Sequence, residues 1–291
     1  MSAAGGLISF VAYSNLTTMA NQLLKGKKGI ISGALNNMSI AWKVAERAHE
    51  EGAEIVLTNA PIAMRMGEIN GLAAAIGNAP IIQADATNEQ DIENLFARSM
   101  EHFGGKVDFV LHSIGMSPNV RKGKHYTNLN YEWYKQTLDV SAMSLHKMLA
   151  TAYRLDAIQD WGSVVALTYI AAQRIFPDYN DMADAKSLLE SISRSFGYHY
   201  GAAKKVRINT ISQSPTVTTA GSGVKGFDGF INYSNAMSPL GNADALACAD
   251  YCIALFSDLT RYVTMQNLFH DGGFSSTGVT QEVVEKFAGK D

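Results

Sequence analysis

Three side chains between residues 169 and 186 could together handle a proton and a developing negative charge: the phenols of Tyr169 and Tyr179 and the ammonium of Lys186. A phenol donates a hydrogen bond without losing its proton at neutral pH, and lysine is a cation on a flexible stem. Such a set suits stabilisation of an oxyanion and the holding of hydroxyl groups. Their spacing limits how they share the work. Tyr179 opens a helical segment and Lys186 follows seven residues later. At about 100° per residue the two lie within about 20° on one helical face but about 10.5 Å apart along the axis. A spacing of four would bring a lysine to about 6 Å, and that position holds Ala183. Lys186 is therefore free to bind something other than this tyrosine.

These residues belong to a chain of 291 residues, 47% hydrophobic, which is enough to bury a sizeable core. The net charge is -3, with basic and acidic residues scattered along the chain. Nucleic acid and anionic membrane are thereby poor partners and small molecules better ones. Cys248 and Cys252 share one helical face but lack further Cys or His ligands nearby, so they read as buried thiols in a reducing, cytoplasmic setting, with no metal site. The apolar run from Gly5 to Tyr13 has no Lys or Arg before Lys25. It lacks the charged start of a secretory signal, and a bilayer span needs about 20 residues. Residues 1–22 are expected to be a disordered or loosely packed extension, or to precede a natural start at Met19, with no membrane insertion.

From Lys28 onward, strand-like and helix-like segments alternate: KGIIS, SIAWKVAERAHEEG, EIVLTN, IAMRMGEINGLAAAIG, PIIQAD, EQDIENLFARSMEHFG and VDFVLHSIG. The strands are continuous apolar runs, as in a parallel sheet covered on both faces, and the helices repeat apolar residues at i, i+3 and i+4. A helix over Tyr131–Leu155, GSVVALTYI, the helix of Lys186, KVRINTIS, a helix around the cysteines and MQNLFHDGG continue the pattern. The expectation is a single α/β domain over residues 23–291, a Rossmann-like doubly wound parallel sheet with helices on both faces. Ligands should then sit outside the carboxyl ends of the strands.

At those ends the residues are suggestive rather than standard. After the first strand only Gly33 fits a dinucleotide fingerprint, because Leu35 and Met38 occupy the other glycine positions. Gly33 allows a tight turn, Asn36 and Asn37 tolerate left-handed backbone, and Ser39 can cap a helix whose N-terminus faces a pyrophosphate; the same loop also reads as a plain turn. The second strand ends at Thr58, Asn59 and Ala60 with neither an acid nor an arginine, which slightly favours NADH over NADPH. Asp85 could accept from an adenine amino group while Ala86 packs on the ring, or it could cap a helix. His112, in an apolar strand, reads as a core histidine ahead of Ser113, Ile114 and Gly115.

Taken together, Gly33 with SIA six residues on, Asp85, HSIG, TYIAAQRIFPDYNDMADAK, RINTISQSP and HDGGFS resemble the enoyl-acyl-carrier-protein reductases of bacterial fatty-acid synthesis, a branch of the short-chain dehydrogenase/reductase superfamily. The resemblance covers roughly Leu23 to Ser276. It implies reduction of a trans-2-enoyl thioester by NADH, with NADPH as the alternative. Tyr179 would donate to the thioester oxygen, Tyr169 would lie against the substrate near proton delivery to the α-carbon, and Lys186 would hold the nicotinamide ribose. It further assigns Gly33, Ser39, Ile40, Ala60, Asp85, Ala86, Ser113, Ile114, Gly115, Thr216, Val217, Thr218, Thr219 and Ala220 to the cofactor, and Ser117 and Phe227 to the substrate. Residues 214–234 would form a lid.

The sequence departs from that pattern at SQSP, where relatives often read SAGP, and at Ala60, where they often have Gln. The acidic carrier protein would dock on basic residues beside the lid, where Lys225 is retained but Asp228 and Gly229 are not basic. The docking surface then lies elsewhere or is weak. The resemblance also implies a homotetramer. A carbonyl reductase of the same superfamily and a non-catalytic nicotinamide-sensing protein are the competing readings.

Overall fold

The structure, a computed structural model, describes residues 21–66, 68–218 and 227–288. The expected N-terminal extension lies outside them apart from Asn21 and Gln22. The chain runs β1 (Lys28–Ser32), α1 (Ile40–Glu50), β2 (Glu54–Thr58), α2 (Pro61–Met66), α3 (Ile69–Ala75), α4 (Glu89–Phe103), β3 (Val107–His112), α5 (Pro118–Arg121) and α6 (Tyr131–Leu138). It continues with α7 (Ser144–Arg154), β4 (Ile158–Thr168), α8 (Asn180–Lys204), β5 (Arg207–Gln213), α9 (Phe227–Met237), α10 (Ala245–Phe256), β6 (Asn267–His270) and α11 (Gln281–Phe287).

All six strands are parallel, in the order β2-β1-β3-β4-β5-β6. Strands β1 to β5 bury alternate residues on opposite faces, while no residue of the edge strand β6 is fully buried. Ile30, Val56, Val110, Val164 and Ile208 face a core packed by α4, α7 and α8. Ile31, Leu57, Leu111, Val165 and Ile211 face a second core packed by α1, α3 and α10. Burial on both sides explains why the strands read as unbroken apolar runs. The strand order reverses between β1 and β3, where a crevice for a ligand is expected in such sheets.

Three elements differ from the sequence-based expectation. The helix predicted over 62–77 is two helices, since the Glu68 amide bonds Leu35 O at 2.9 Å instead of continuing the first one. The PIIQAD segment is not a full strand: it runs beside β2 through Leu57 N to Pro80 O, Ile82 N to Leu57 O and Ala84 N to Asn59 O, with one bridge at Ile81. It thereby lies outside β2 and extends the order to that of a doubly wound dinucleotide-binding sheet. The helix predicted over 131–155 contains a π-helical turn, Asp139–Met143, which divides it into α6 and α7.

Candidate active site

The crevice at the switch point is shaped by close backbone approach. Gly33 has φ +94°, and a Cβ there would lie 2.0 Å from Ser113 O, so glycine alone fits where the ends of β1 and β3 meet. Ser39 occupies the N-cap position of α1 with extended backbone, but it does not cap the helix as expected. Its hydroxyl donates to Asn36 O at 2.6 Å and accepts from Leu35 N at 3.2 Å, fastening the loop on itself. The Ser39 side chain thus caps no amide of α1, where Ile40 begins, although the Trp42 amide donates to Ser39 O at 3.1 Å; the head of such a helix is suited to an anion.

On the outer side of β2, Asn59 ties the loop together by donating to Ala34 O and accepting from the Ala60 amide. Asp85 accepts from the Thr87 amide and hydroxyl through Oδ1 alone, which leaves Oδ2 for a ligand. Ala86 packs on the first core at the same edge. Beyond β3, Ile114 packs on the same core, and exposed Gly115 follows it.

The catalytic candidates converge on that edge from β4 and α8. The rings of Tyr169 and Tyr179 touch, with centroids 5.2 Å apart, and Tyr169 also packs on Phe176 at 5.1 Å. Burial raises both phenol pKa values, for Tyr179 as the whole cause, so both hydroxyls are neutral donors over the physiological range. Tyr179 is held at the mouth of α8 between Asp178 and Asn180, both with positive φ, a backbone conformation that costs energy for non-glycine residues.

Lys186 is buried, its Nζ donating to Leu167 O at 2.8 Å. A Cβ on Gly115 would stand 3.7 Å from that Nζ, so the ammonium reaches the floor of the crevice beside Gly115. Burial lowers its pKa to about 8, and the Glu190 charge opposes the shift. His112 is a core histidine: its Nε2 lies 2.7 Å from the Ser144 hydroxyl, whose own proton goes to Val140 O, so the ring is the donor. Burial, and then the charge of Lys186, lowers its pKa to about 3.

The remaining assignments divide. Ser117 is buried as the N-cap of α5, its hydroxyl donating to Asp181 at 2.7 Å and accepting from Val120 N, so its side chain is already committed to the protein. Thr216 follows β5, with Val217 exposed beyond it and Thr218 half-buried. Thr219, Ala220 and Lys225 lie outside the described residues, as does the side chain of Phe227 at the head of α9. An aromatic wall runs on from Tyr169 through Phe176 to Phe230 and Phe274, lining a cavity of about 480 Å³ with Ile170 and Met237.

Sequence reasoning missed three supports. Fully buried Asp181 gathers Ser117, Asn119 and Thr137 around its carboxylate, bolting the segment after β3 to the first turn of α8. Glu190, one turn beyond Lys186, accepts from Thr168, Gln173 and Asn267, fixing the end of β4 that delivers Tyr169. Gln213, from the departure SQSP, accepts from His270 at 2.7 Å and donates to Ala243 O at 2.9 Å, anchoring the end of β5 to β6 and to the loop before α10. An acid at i+4 from Lys186 was a readable signal for Glu190; the others depend on partners distant in sequence.

The parallel sheet, its glycine-walled switch-point crevice and the tyrosine pair above a buried lysine define a dinucleotide-binding oxidoreductase. The close backbone approach at Gly33 and the lysine head beside Gly115 fit a nicotinamide dinucleotide. A family model described as Enoyl-(Acyl carrier protein) reductase matches residues 33–275, and the chain belongs to that family. It is 34% identical over 262 residues to the NADH-dependent enoyl-[acyl-carrier-protein] reductase FabI of Rickettsia bellii, covering 89% of this chain and 98% of that protein. Among solved structures it resembles the FabI-NADH complex of Alistipes finegoldii, with 65% identity, TM-score 0.89, and 90% and 92% of the two chains covered. It also resembles the Aquifex aeolicus enzyme, at 30% identity and TM-score 0.81, covering 89% of this chain and 100% of that one.

Proposed function

We propose that the chain reduces the trans-2 double bond of enoyl thioesters carried on acyl carrier protein, with NADH as reductant. The observation that supports this best is the contact of Tyr169 and Tyr179 at the carboxyl edge, with Lys186 held apart from Tyr179 and turned to the crevice floor. When bound, the dinucleotide supplies a hydride to the β-carbon of the enoyl group. Gly33, the head of α1 and the Ser113–Gly115 edge would hold its pyrophosphate and nicotinamide ends, Asp85 and Ala86 its adenine, and Thr216–Ala220 would cover it. Lys186 would hold the ribose hydroxyls and place positive charge beside the substrate.

Charge moves to the thioester oxygen as the β-carbon is attacked, and the Tyr179 hydroxyl donates to that oxygen. A positioned donor of this kind contributes about 2.7 to 4 kcal/mol to the transition state. Tyr169 packs against Tyr179 and lines the path by which the α-carbon regains a proton, while the Phe176–Phe230–Phe274 wall receives apolar chain. Carbonyl reduction by the superfamily's common arrangement would need a lysine at Ala183.

The test is Tyr179→Phe, which should lower kcat by about 10²- to 10³-fold while leaving NADH affinity unchanged. An unaltered kcat would remove the tyrosine from the reaction. The placement is cytoplasmic and the assembly a homotetramer; a monomer by light scattering at micromolar concentration would exclude the latter. Among the described residues no helix is long and apolar enough to cross a membrane.

A further inference from the structure

The segment between β3 and α6 concentrates positive charge. From Pro118 to Leu129 the sequence PNVRKGKHYTNL holds Arg121, Lys122 and Lys124 and no acidic residue, within a chain of net charge -3. Arg121 and Lys122 are exposed, and among the described residues none of the three joins an ion pair. Of the nearby acids, Glu132 pairs with Lys135 and Asp181 is buried, while Asp184, which accepts from the neutral hydroxyls of Tyr126 and Tyr134, and exposed Asp178 beside Tyr179 keep their negative charge.

The strip is fixed to the catalytic helix rather than loosely attached. Ser117 and Asn119 bond Asp181, and Asn180, next to Tyr179, donates from Nδ2 to Lys124 O at 2.5 Å. Lys124 is thus one hydrogen bond from Asn180, the neighbour of Tyr179, and Arg121 and Lys122 are exposed in the same short segment. Exposed Tyr126 and Tyr131 flank them. On the lid side, exposed Asp228 contributes a negative charge and Gly229 none.

We infer that Arg121, Lys122 and Lys124 form the surface on which an acidic face of the substrate's carrier protein docks, aiming the tethered thioester at Tyr179. This rests on the reading that the substrate is carrier-bound. A carrier-bound thioester brings the carrier's own surface, and the phosphodiester of its prosthetic arm, to the rim while the reacting carbons go inside. Complementary charge at such a rim steers encounter and sets orientation.

The experiment compares wild type with Arg121→Glu/Lys122→Glu, using crotonoyl-carrier protein and the uncharged crotonoyl-N-acetylcysteamine thioester. Fluorescence anisotropy of labelled carrier protein gives binding directly. The expected result is a rise of about tenfold in KM and in Kd for the carrier at low ionic strength, shrinking as salt screens the rim, with the small thioester's kcat/KM unchanged. The milder Arg121→Gln/Lys122→Gln should show an intermediate rise. Unchanged carrier binding in both variants, or an equal loss on both substrates, would overturn the docking surface. Failure of the wild type to reduce either thioester would instead overturn the reading on which it rests.

Discussion

Removing the Lys186 charge should change how stability depends on pH, by an amount the structure fixes. The ammonium is buried against Leu167 O, and its pKa falls from 10.5 to about 8 in the fold. A base with a depressed folded pKa makes the folded state bind fewer protons than the unfolded one. The stability linked to it is therefore present above pH 10.5 and lost as pH falls through 8. A shift of about 2.5 units corresponds to about 3 kcal/mol, the penalty wild type carries at pH 7 for keeping a buried cation. Lys186→Met keeps the length of the stem and deletes the titration. Urea unfolding of both proteins at pH 7 and pH 10.5 should show the difference, variant minus wild type, falling by about 3 kcal/mol between the two. Lost contacts to Leu167 O offset that difference by a similar amount at each pH, so the change with pH is the readout. Parallel stability curves would refute the depressed pKa and with it the burial of the charge beside Gly115.

Other consequences are testable with simple variants. Gly33→Ala should weaken NADH binding and destabilise the fold by a few kcal/mol, because its Cβ would meet Ser113 O at 2.0 Å on a backbone with positive φ; isothermal titration and urea melts would show a wild-type-like protein if the crevice is misplaced. Gln213→Ala should raise the Kd for NADH several-fold by freeing the end of β5 from Ala243 and His270, with little loss of kcat at saturating cofactor; a change in kcat alone would contradict that role. Glu190→Gln should lower the Lys186 pKa further, since its charge opposes the effect of burial. The rise of the NADH KM with pH should then begin at a lower pH than in wild type, and superimposed profiles would argue against the coupling.

Much of the fold was legible because β1 to β4 carry apolar runs buried on both faces: Ile30 and Ile31, adjacent in sequence, serve opposite cores. The π-turn before α7 was not, because apolar periodicity does not distinguish one wider turn from a regular helix. Residues 81–84 read as a strand and do lie along β2, but with too few ladder bonds to make one. In the site, Tyr169, Tyr179, Lys186 and Gly33 could be named from type and spacing. Ser39 could be placed but its bond could not, since Asn36 O competes with the helix for the hydroxyl. Asp181 gave no signal in sequence: its three neutral donors come from positions 44 to 64 residues away.

The central claim is most directly tested by following the absorbance of NADH, and separately of NADPH, when purified protein meets crotonoyl thioester on carrier protein. The expected result is loss of NADH absorbance that requires the enoyl substrate and exceeds the loss of NADPH. Binding of NADH without any enoyl-dependent consumption would contradict it and favour a protein that keeps the crevice and has lost the chemistry.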